Sequence, residues 1–381
     1  MVGNSGNMST RSILTINCHA LAENYQQIQK IVGAGVHVAG VVKADGYGIG
    51  MSAMARTLYH AGCRVFYTAQ LSEAIALRRI ISDGKILVFE GPVGDMDAYH
   101  THDLTPVINS LSQLQHFRET AATPSGELPA FVIHIDTGMA RLGLSAEDVA
   151  SVSWADLPLA GIISHLASAD IKTAQQNHDQ LGRLHAIIKI LPDVPVSFAN
   201  SGGIFLGPDF HFHEVRPGLA LHGFTACAED RASSGLHPIL RWDAPIIQIR
   251  TLKAGDTIGY GASFTAVKDM KVATIGAGYA DGYRRQLQGK GRVDIGGHIT
   301  RPVGRVSMDL LVVDVTDIPS DILFQANTAC LLGPHYSIEE MAADLDTIAY
   351  EVLTGLGDRI YRAYDGLPDA ACNEQHDARE R

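Results

Sequence analysis

Five short polar stretches hold the residue types that could do chemistry: Val42-Lys43-Ala44-Asp45-Gly46-Tyr47, Asp136-Thr137-Gly138-Met139-Ala140-Arg141, Ser164-His165, Asn200-Ser201-Gly202-Gly203 and Arg216-Pro217-Gly218-Leu219. Each follows a short apolar run. A lysine withdrawn from water must be neutral or paired, and its lowered pKa makes it a nucleophile suited to Schiff-base formation. Ser201-Gly202-Gly203 offers a hydroxyl and backbone N–H groups to an anion at the start of a short helix, expected over residues 202–206. Arg216-Pro217-Gly218-Leu219 supplies a second loop, in which glycine permits close backbone approach. Singly, Lys43 could reach for solvent, His165 could be a core histidine and Arg216 a structural ion pair. Together, an imine-forming amine beside a phosphate cradle is the arrangement that pyridoxal phosphate requires.

The elements that must position these residues follow from the pattern of the 381-residue chain. Apolar runs lie at 37–43, 64–67, 86–89, 105–108, 130–135, 159–164, 194–198 and 213–215. Helical spacing fills several of the gaps, as at 69–80 and 175–190. Eight such βα repeats predict a (β/α)8 TIM barrel over residues 12–237, with a doubly wound open sheet as the competing fold. In such barrels the active site lies at the C-terminal ends of the strands, where all five stretches fall. From 238 to 368 the texture becomes alternating strands with glycine punctuation, a mostly antiparallel β domain. Its expected strands are 244–250, 271–276, 291–295, 298–303, 310–315 and 329–332. Ser337 and Glu340 have capping-box spacing at the head of a helix over 337–345, and a second helical stretch spans 347–354. Residues 1–11 and 369–381 are polar and are expected to be a disordered extension and tail.

Composition narrows the partners. With 30 basic and 41 acidic side chains the net charge is -11, which argues against nucleic acid. Five cysteines without CxxC spacing imply a reducing compartment, the cytoplasm, and neither a disulfide framework nor a zinc site. No apolar run approaches the ~20 residues of a membrane span. Gly276-Ala277-Gly278…Gly282 lacks dinucleotide-loop spacing. His211-Phe212-His213-Glu214 lacks a companion acidic cluster, so no metal is expected. The expected ligand is a small molecule.

The motif Val42-Lys43-Ala44-Asp45-Gly46-Tyr47-Gly48 resembles the cofactor-attachment motif of alanine racemases. Further matches follow in that family's order: residues 136–143, 164–170, 200–202 and 216–218, then Gly259-Tyr260-Gly261, Gly278-Tyr279-Ala280-Asp281-Gly282, residues 304–309 and Tyr350-Glu351-Val352. The resemblance spans roughly Ser12 to Tyr364. It implies a fold-type III pyridoxal-phosphate enzyme, a homodimer with shared active sites, interconverting L- and D-alanine for peptidoglycan supply or for alanine breakdown. It implies that Lys43 carries the cofactor and is one acid/base group, with Tyr260 of the other subunit as the second. Arg216 would bond the pyridine nitrogen, and His165 would link Arg216 to Tyr260 in a positive chain that favours phenolate. Tyr47, Asn200, Ser201, Gly218, Leu219 and Tyr350 would bind the cofactor. Arg141 and the Met308 backbone would take the substrate carboxylate, and Tyr279 would gate the entrance.

Two positions depart from the family's pattern. Ile49 stands where a histidine is frequent. His134 stands where many members carry a lysine that becomes carbamylated and braces the substrate arginine, leaving His134 itself, an anion or a carboxylate to orient Arg141. A broader-specificity amino-acid racemase and a fold-type III decarboxylase are the neighbouring alternatives. Arg216 speaks against the decarboxylase, which places an acid at the pyridine nitrogen. A non-catalytic carrier on the same barrel would not need Tyr260 or Tyr350, and a metal-dependent barrel hydrolase would need the ligand cluster that is missing.

Overall fold

A computed structural model describes residues 11–121 and 128–368. The expected N-terminal extension, apart from Arg11, and the tail lie outside the described residues. The chain divides into two compact units, Cys18–Pro238 and Ile239–Asp365, the second completed by the N-terminal strand Ile13–Asn17.

The first unit is a parallel barrel. Its first strand is broken at Ala39 into His37–Val38, which pairs with Glu214–Arg216, and Gly40–Val41, which pairs with Val65–Thr68. Ala39 bridges the break by donating its N–H to the Val215 carbonyl at 2.9 Å. Around the ring follow Lys85–Val88, Leu104–Ile108, Phe131–His134, Leu159–Ile163 and Val196–Asn200, each parallel to its neighbours. The sheet therefore closes as eight staves, as the periodicity predicts. Parallel strands covered on both faces read as continuous apolar runs, and all four residues of Phe131–His134 are buried. The helices carry one buried stripe each. On Gln175–Ile188 it is Asn177, Gln180, Leu184 and Ile187, spaced by three and four as a core-facing helix requires.

In the second unit the long strand Leu240–Leu252 organises the sheet. Its first half pairs antiparallel with Ile13–Asn17 and Thr328–Leu332, its second half with Met270–Ile275. Tyr361–Asp365 adds a parallel pair, beside Ile13–Asn17, the one parallel pair of this sheet among the described residues. Ser337 caps Ile338–Asp344 in the expected reciprocal box with Glu340. Residues 12–17, expected to open the barrel, instead belong to this sheet. The reason is in their burial, which alternates along Ile13–Asn17: a strand with one apolar face suits an antiparallel sheet, whereas a barrel stave is covered on both faces.

Candidate active site

Immediately after Gly40–Val41 the chain does something local propensity disfavours. Ala44, Asp45, Gly46 and Tyr47 all lie in the left-handed region, with φ of 52°, 52°, 63° and 60°. Non-glycine residues pay about 1–2 kcal/mol each for this conformation, so the surroundings must impose it. Glu73, at the head of helix Leu71–Arg78, accepts from the Ala44 N–H at 2.6 Å and, with its other oxygen, from Ala69 at 2.8 Å and Gln70 at 3.2 Å. Gly46 donates to the Val42 carbonyl at 2.9 Å. The Asp45 carboxylate accepts from the Met51 N–H at 2.8 Å. The turn leaves Lys43 lining a cavity of about 360 Å³, its Nζ 5.8 Å from the Phe89 ring centre. Burial lowers the Lys43 pKa, helped by Arg141 and Arg216 and opposed by Glu73.

The same turn carries Tyr47 to the loop after Glu214–Arg216. A Cβ placed on Gly218 would lie 2.0 Å from the Tyr47 hydroxyl, so only glycine fits there. His222 packs edge-on against Tyr47 at 5.2 Å and spans Gly218 and Gly46, its ring nitrogens 2.9 and 3.1 Å from their carbonyls. Ser201 Oγ accepts from the Gly218 and Ala220 N–H groups at 3.0 and 3.1 Å. The Leu219 N–H has no acceptor among the described residues. Asn200 Oδ1 accepts from Gly203 at 2.9 Å and shapes the turn into Gly203–Leu206, the short helix expected over 202–206. Tyr47, Ser201, Gly218 and Leu219 thus converge, with a backbone donor left over for an anion.

Arg216, His165, His134 and Arg141 line the cavity with Lys43. Arg216 is 4% exposed; it donates to Ser197 Oγ at 2.6 Å and to the Ser164 carbonyl at 2.5 Å. A guanidinium has five N–H donors, so it keeps donors for a ligand. Burial beside Arg216 and Arg141 pushes the His165 pKa down to about 3. His165 is therefore neutral at physiological pH, beside the positive charges of Arg216 and Arg141. His134 is likewise pushed down to about 4, by burial and then by Arg216 and Arg141. Arg141 makes no ion pair or side-chain hydrogen bond among the described residues. An unspent guanidinium at a cavity edge suits a carboxylate.

Tyr260, Tyr279, Met308 and Tyr350 belong to the second unit. Tyr260 is 73% exposed, on a turn where Gly259, Gly261 and Ala262 all have positive φ. A Cβ on Gly261 would meet the Arg305 guanidinium at 2.9 Å, and Tyr279 and Ala280 donate to the Ser307 and Met308 carbonyls at 3.1 and 3.0 Å. The three turns therefore lie against one another, with Tyr260, Tyr279 and Met308 all exposed. Arg359 ties two of them by donating to Asp281 and Asp309. The Met308 N–H has no acceptor among the described residues. Tyr350 sits half-buried on Ala349–Thr354. The sequence reading did not single out Glu73, Asn109, His222 or Arg359. Only Glu73, three residues after Gln70, left a local sign, the spacing of a capping box.

Among the described residues no group of three or more potential ligand side chains could hold a metal ion. His211 and His213 serve the backbone, at the Ile204 carbonyl and the Val196 N–H. No helix among the described residues is long and apolar enough to cross a membrane.

Comparison with known proteins agrees with this geometry. Residues 16–226 match the family model for the alanine racemase N-terminal domain, and residues 239–364 that for the alanine racemase C-terminal domain. A catabolic alanine racemase of Agrobacterium fabrum is 41% identical over 92% of this chain and 91% of its own length. The alanine racemase of Brucella suis is 39% identical over 94% of each. Among solved structures, alanine racemase from Bartonella henselae with covalently bound pyridoxal phosphate superposes with a TM-score of 0.85 at 34% identity, covering 93% of this chain and 99% of that one. These matches span both units, and the chain belongs to the alanine racemase family.

Proposed function

We propose that this chain binds pyridoxal phosphate through Lys43 and interconverts L- and D-alanine with two acid/base groups, Lys43 and a Tyr260 contributed by a second copy of the chain. The observation that carries the reading is the left-handed turn: one strained segment puts Lys43 into the cavity and Tyr47 into the anion cradle. The residues fit the cofactor, since an amine of lowered pKa, a buried guanidinium with spare donors and a cradle with an unspent N–H border one barrel mouth. When bound, pyridoxal phosphate acidifies the Cα–H of an amino acid by accepting electron density.

The chain's own residues supply the rest. Tyr47, Ser201, Gly218 and Leu219 hold the phosphate, assisted by Asn200 and by Tyr350. Arg216 would hydrogen-bond the ring nitrogen, and because arginine does not accept a proton it would leave that nitrogen unprotonated. Arg141 and the Met308 N–H hold the substrate carboxylate. Lys43 Nζ moves a proton on one face of Cα and the Tyr260 phenol on the other, which is what inversion requires. Tyr279 would border the entrance. The reaction is reversible, so it serves wall synthesis or alanine breakdown according to which enantiomer is withdrawn.

Incubation with L-alanine in heavy water tests this, following optical rotation and Cα deuteration together. Racemisation with deuterium uptake is expected. Lys43→Ala is expected to lose both turnover and the Schiff-base absorbance. Release of carbon dioxide, or bound cofactor without turnover, would overturn the reading.

A further inference from the structure

A guanidinium withdrawn from water needs negative charge within reach, because an isolated buried ion is costly. Arg216 is 4% exposed, and the two groups it donates to, Ser197 Oγ and the Ser164 carbonyl, are uncharged. It makes no ion pair among the described residues. Lys43, Arg141, His134 and His165 line its cavity and none of them is an acid. Glu90 lines it too, but its Oε1 holds the head of helix Leu71–Arg78, accepting from the Leu71 N–H at 2.6 Å. Burial lowers the Arg216 pKa, and Tyr67 and Glu214 oppose it.

Glu214 stands two residues before Arg216 on the same stave, Glu214–Arg216. Residues two apart on a strand share a face, so both side chains enter the barrel interior, with the carboxylate one layer below the guanidinium. Tyr67 comes from Val65–Thr68, an alternate stave of the ring, and alternate staves fill a common layer. Its hydroxyl donates to Glu214 Oε1 at 2.7 Å. Burial and then Glu214 push the Tyr67 phenol well above its ordinary pKa, so it keeps the proton that makes this bond. The Tyr67 ring is 2% exposed and stacks on Phe89, with ring centres 4.9 Å apart. The Arg216 guanidinium carbon lies 5.9 Å from the centre of the Tyr67 ring, within cation–π reach. Ser197 Oγ joins the two layers, accepting from Arg216 and donating to the Glu214 carbonyl at 2.9 Å. Tyr67, Ser197 and the half-buried Glu214 border a cavity of about 40 Å³ inside the barrel. Lys85, the other charged group there, is exposed and makes no ion pair with Glu214.

We propose that Glu214 is a positioning residue for Arg216: held in the barrel interior by the Tyr67 hydroxyl, its carboxylate is the counter-charge that keeps the guanidinium in place for the cofactor. The proposal rests on the reading of Arg216 as the partner of the pyridine nitrogen and adds what holds that charge there.

The test measures, by equilibrium dialysis, how wild type, Glu214→Gln, Tyr67→Phe and Arg216→Ala bind pyridoxal phosphate and its 1-deaza analogue, in which carbon replaces the ring nitrogen. Wild type is expected to prefer pyridoxal phosphate by about tenfold, the equivalent of one hydrogen bond to a charged group, and Arg216→Ala to lose that preference. Glu214→Gln keeps an acceptor for the Tyr67 hydroxyl but no charge. It is expected to cut the preference by about threefold or more, because the guanidinium is no longer held at the nitrogen. A role confined to packing would weaken both ligands alike and leave the ratio unmoved. A preference lost in Arg216→Ala but retained in full by Glu214→Gln overturns this proposal alone. A preference absent from wild type, or one that survives Arg216→Ala, overturns the reading of Arg216 and this proposal with it. If Glu214→Gln does not fold, Tyr67→Phe, which unties the carboxylate and keeps the ring, decides by the same ratio.

Discussion

Two histidines beside two guanidiniums make the barrel mouth sensitive to acid. His134 and His165 have folded pKa values of about 4 and 3, below the 6.5 of an exposed histidine. Between those limits the unfolded chain binds more protons than the folded one, so stability rises with pH. The contribution is fully present above pH 6.5 and is lost as pH falls toward 4 and then 3. For His134 alone the loss is roughly 3 kcal/mol. The urea midpoint of the wild type is therefore expected to fall from pH 7 to pH 4, and the fall should be smaller in His134→Phe. An equal fall in both would refute the assignment. At this scale the sequence located His165 and Arg216 at strand ends but not their charge states. Charge depends on how deeply each group is buried and on what faces it, and neither is a property of neighbours in the chain.

Among the elements, the left-handed turn is the unit that joins amine and anion cradle. Asp-Gly-Tyr-Gly after an apolar run announces a turn, but not one of left-handed hand sustained over four residues. That conformation is set from outside, by Glu73 on one side and His222 on the other. Its weak point is the contact between Gly218 and Tyr47. Gly218→Ala puts a methyl group 2.0 Å from the Tyr47 hydroxyl, and the tyrosine or the loop must move. Pyridoxal phosphate is expected to bind at least about tenfold more weakly, the equivalent of one hydrogen bond to a charged group. Equilibrium dialysis of the variant measures this, and unchanged retention would show that the cradle lies elsewhere. The staves around the turn were legible because hydrophobic periodicity is local, and they appear where the apolar runs place them. The assignment of Ile13–Asn17 failed because the partners of a strand lie far away in sequence.

For the whole molecule, the distribution of the two proposed acid/base residues over two units sets the prediction. Lys43 belongs to one unit and the exposed Tyr260 to the other. If each site takes its lysine from one subunit and its tyrosine from the next, two dead variants complement each other. Mixed Lys43→Ala and Tyr260→Phe chains, unfolded and refolded together, should recover about a quarter of wild-type turnover: half the dimers are hybrid, and each hybrid has one intact site. No recovery from folded, cofactor-loaded hybrids would mean that each site is built within one chain.

By itself the sequence determined the eight staves, the change of texture before Ile239, and the residues that end each strand, because strand and helix periods are written over a few neighbouring positions. Only the tertiary structure decided the hand of the turn after Lys43, the burial that lowers the His165 pKa, the contact between Asn109 and His134 and the sheet that Ile13–Asn17 joins. Each of these depends on contacts across long stretches of chain, such as the 25 residues between Asn109 and His134 and the 29 between Ala44 and Glu73. Desolvation and hydrogen-bond partnership at such separations exist only once the barrel has closed.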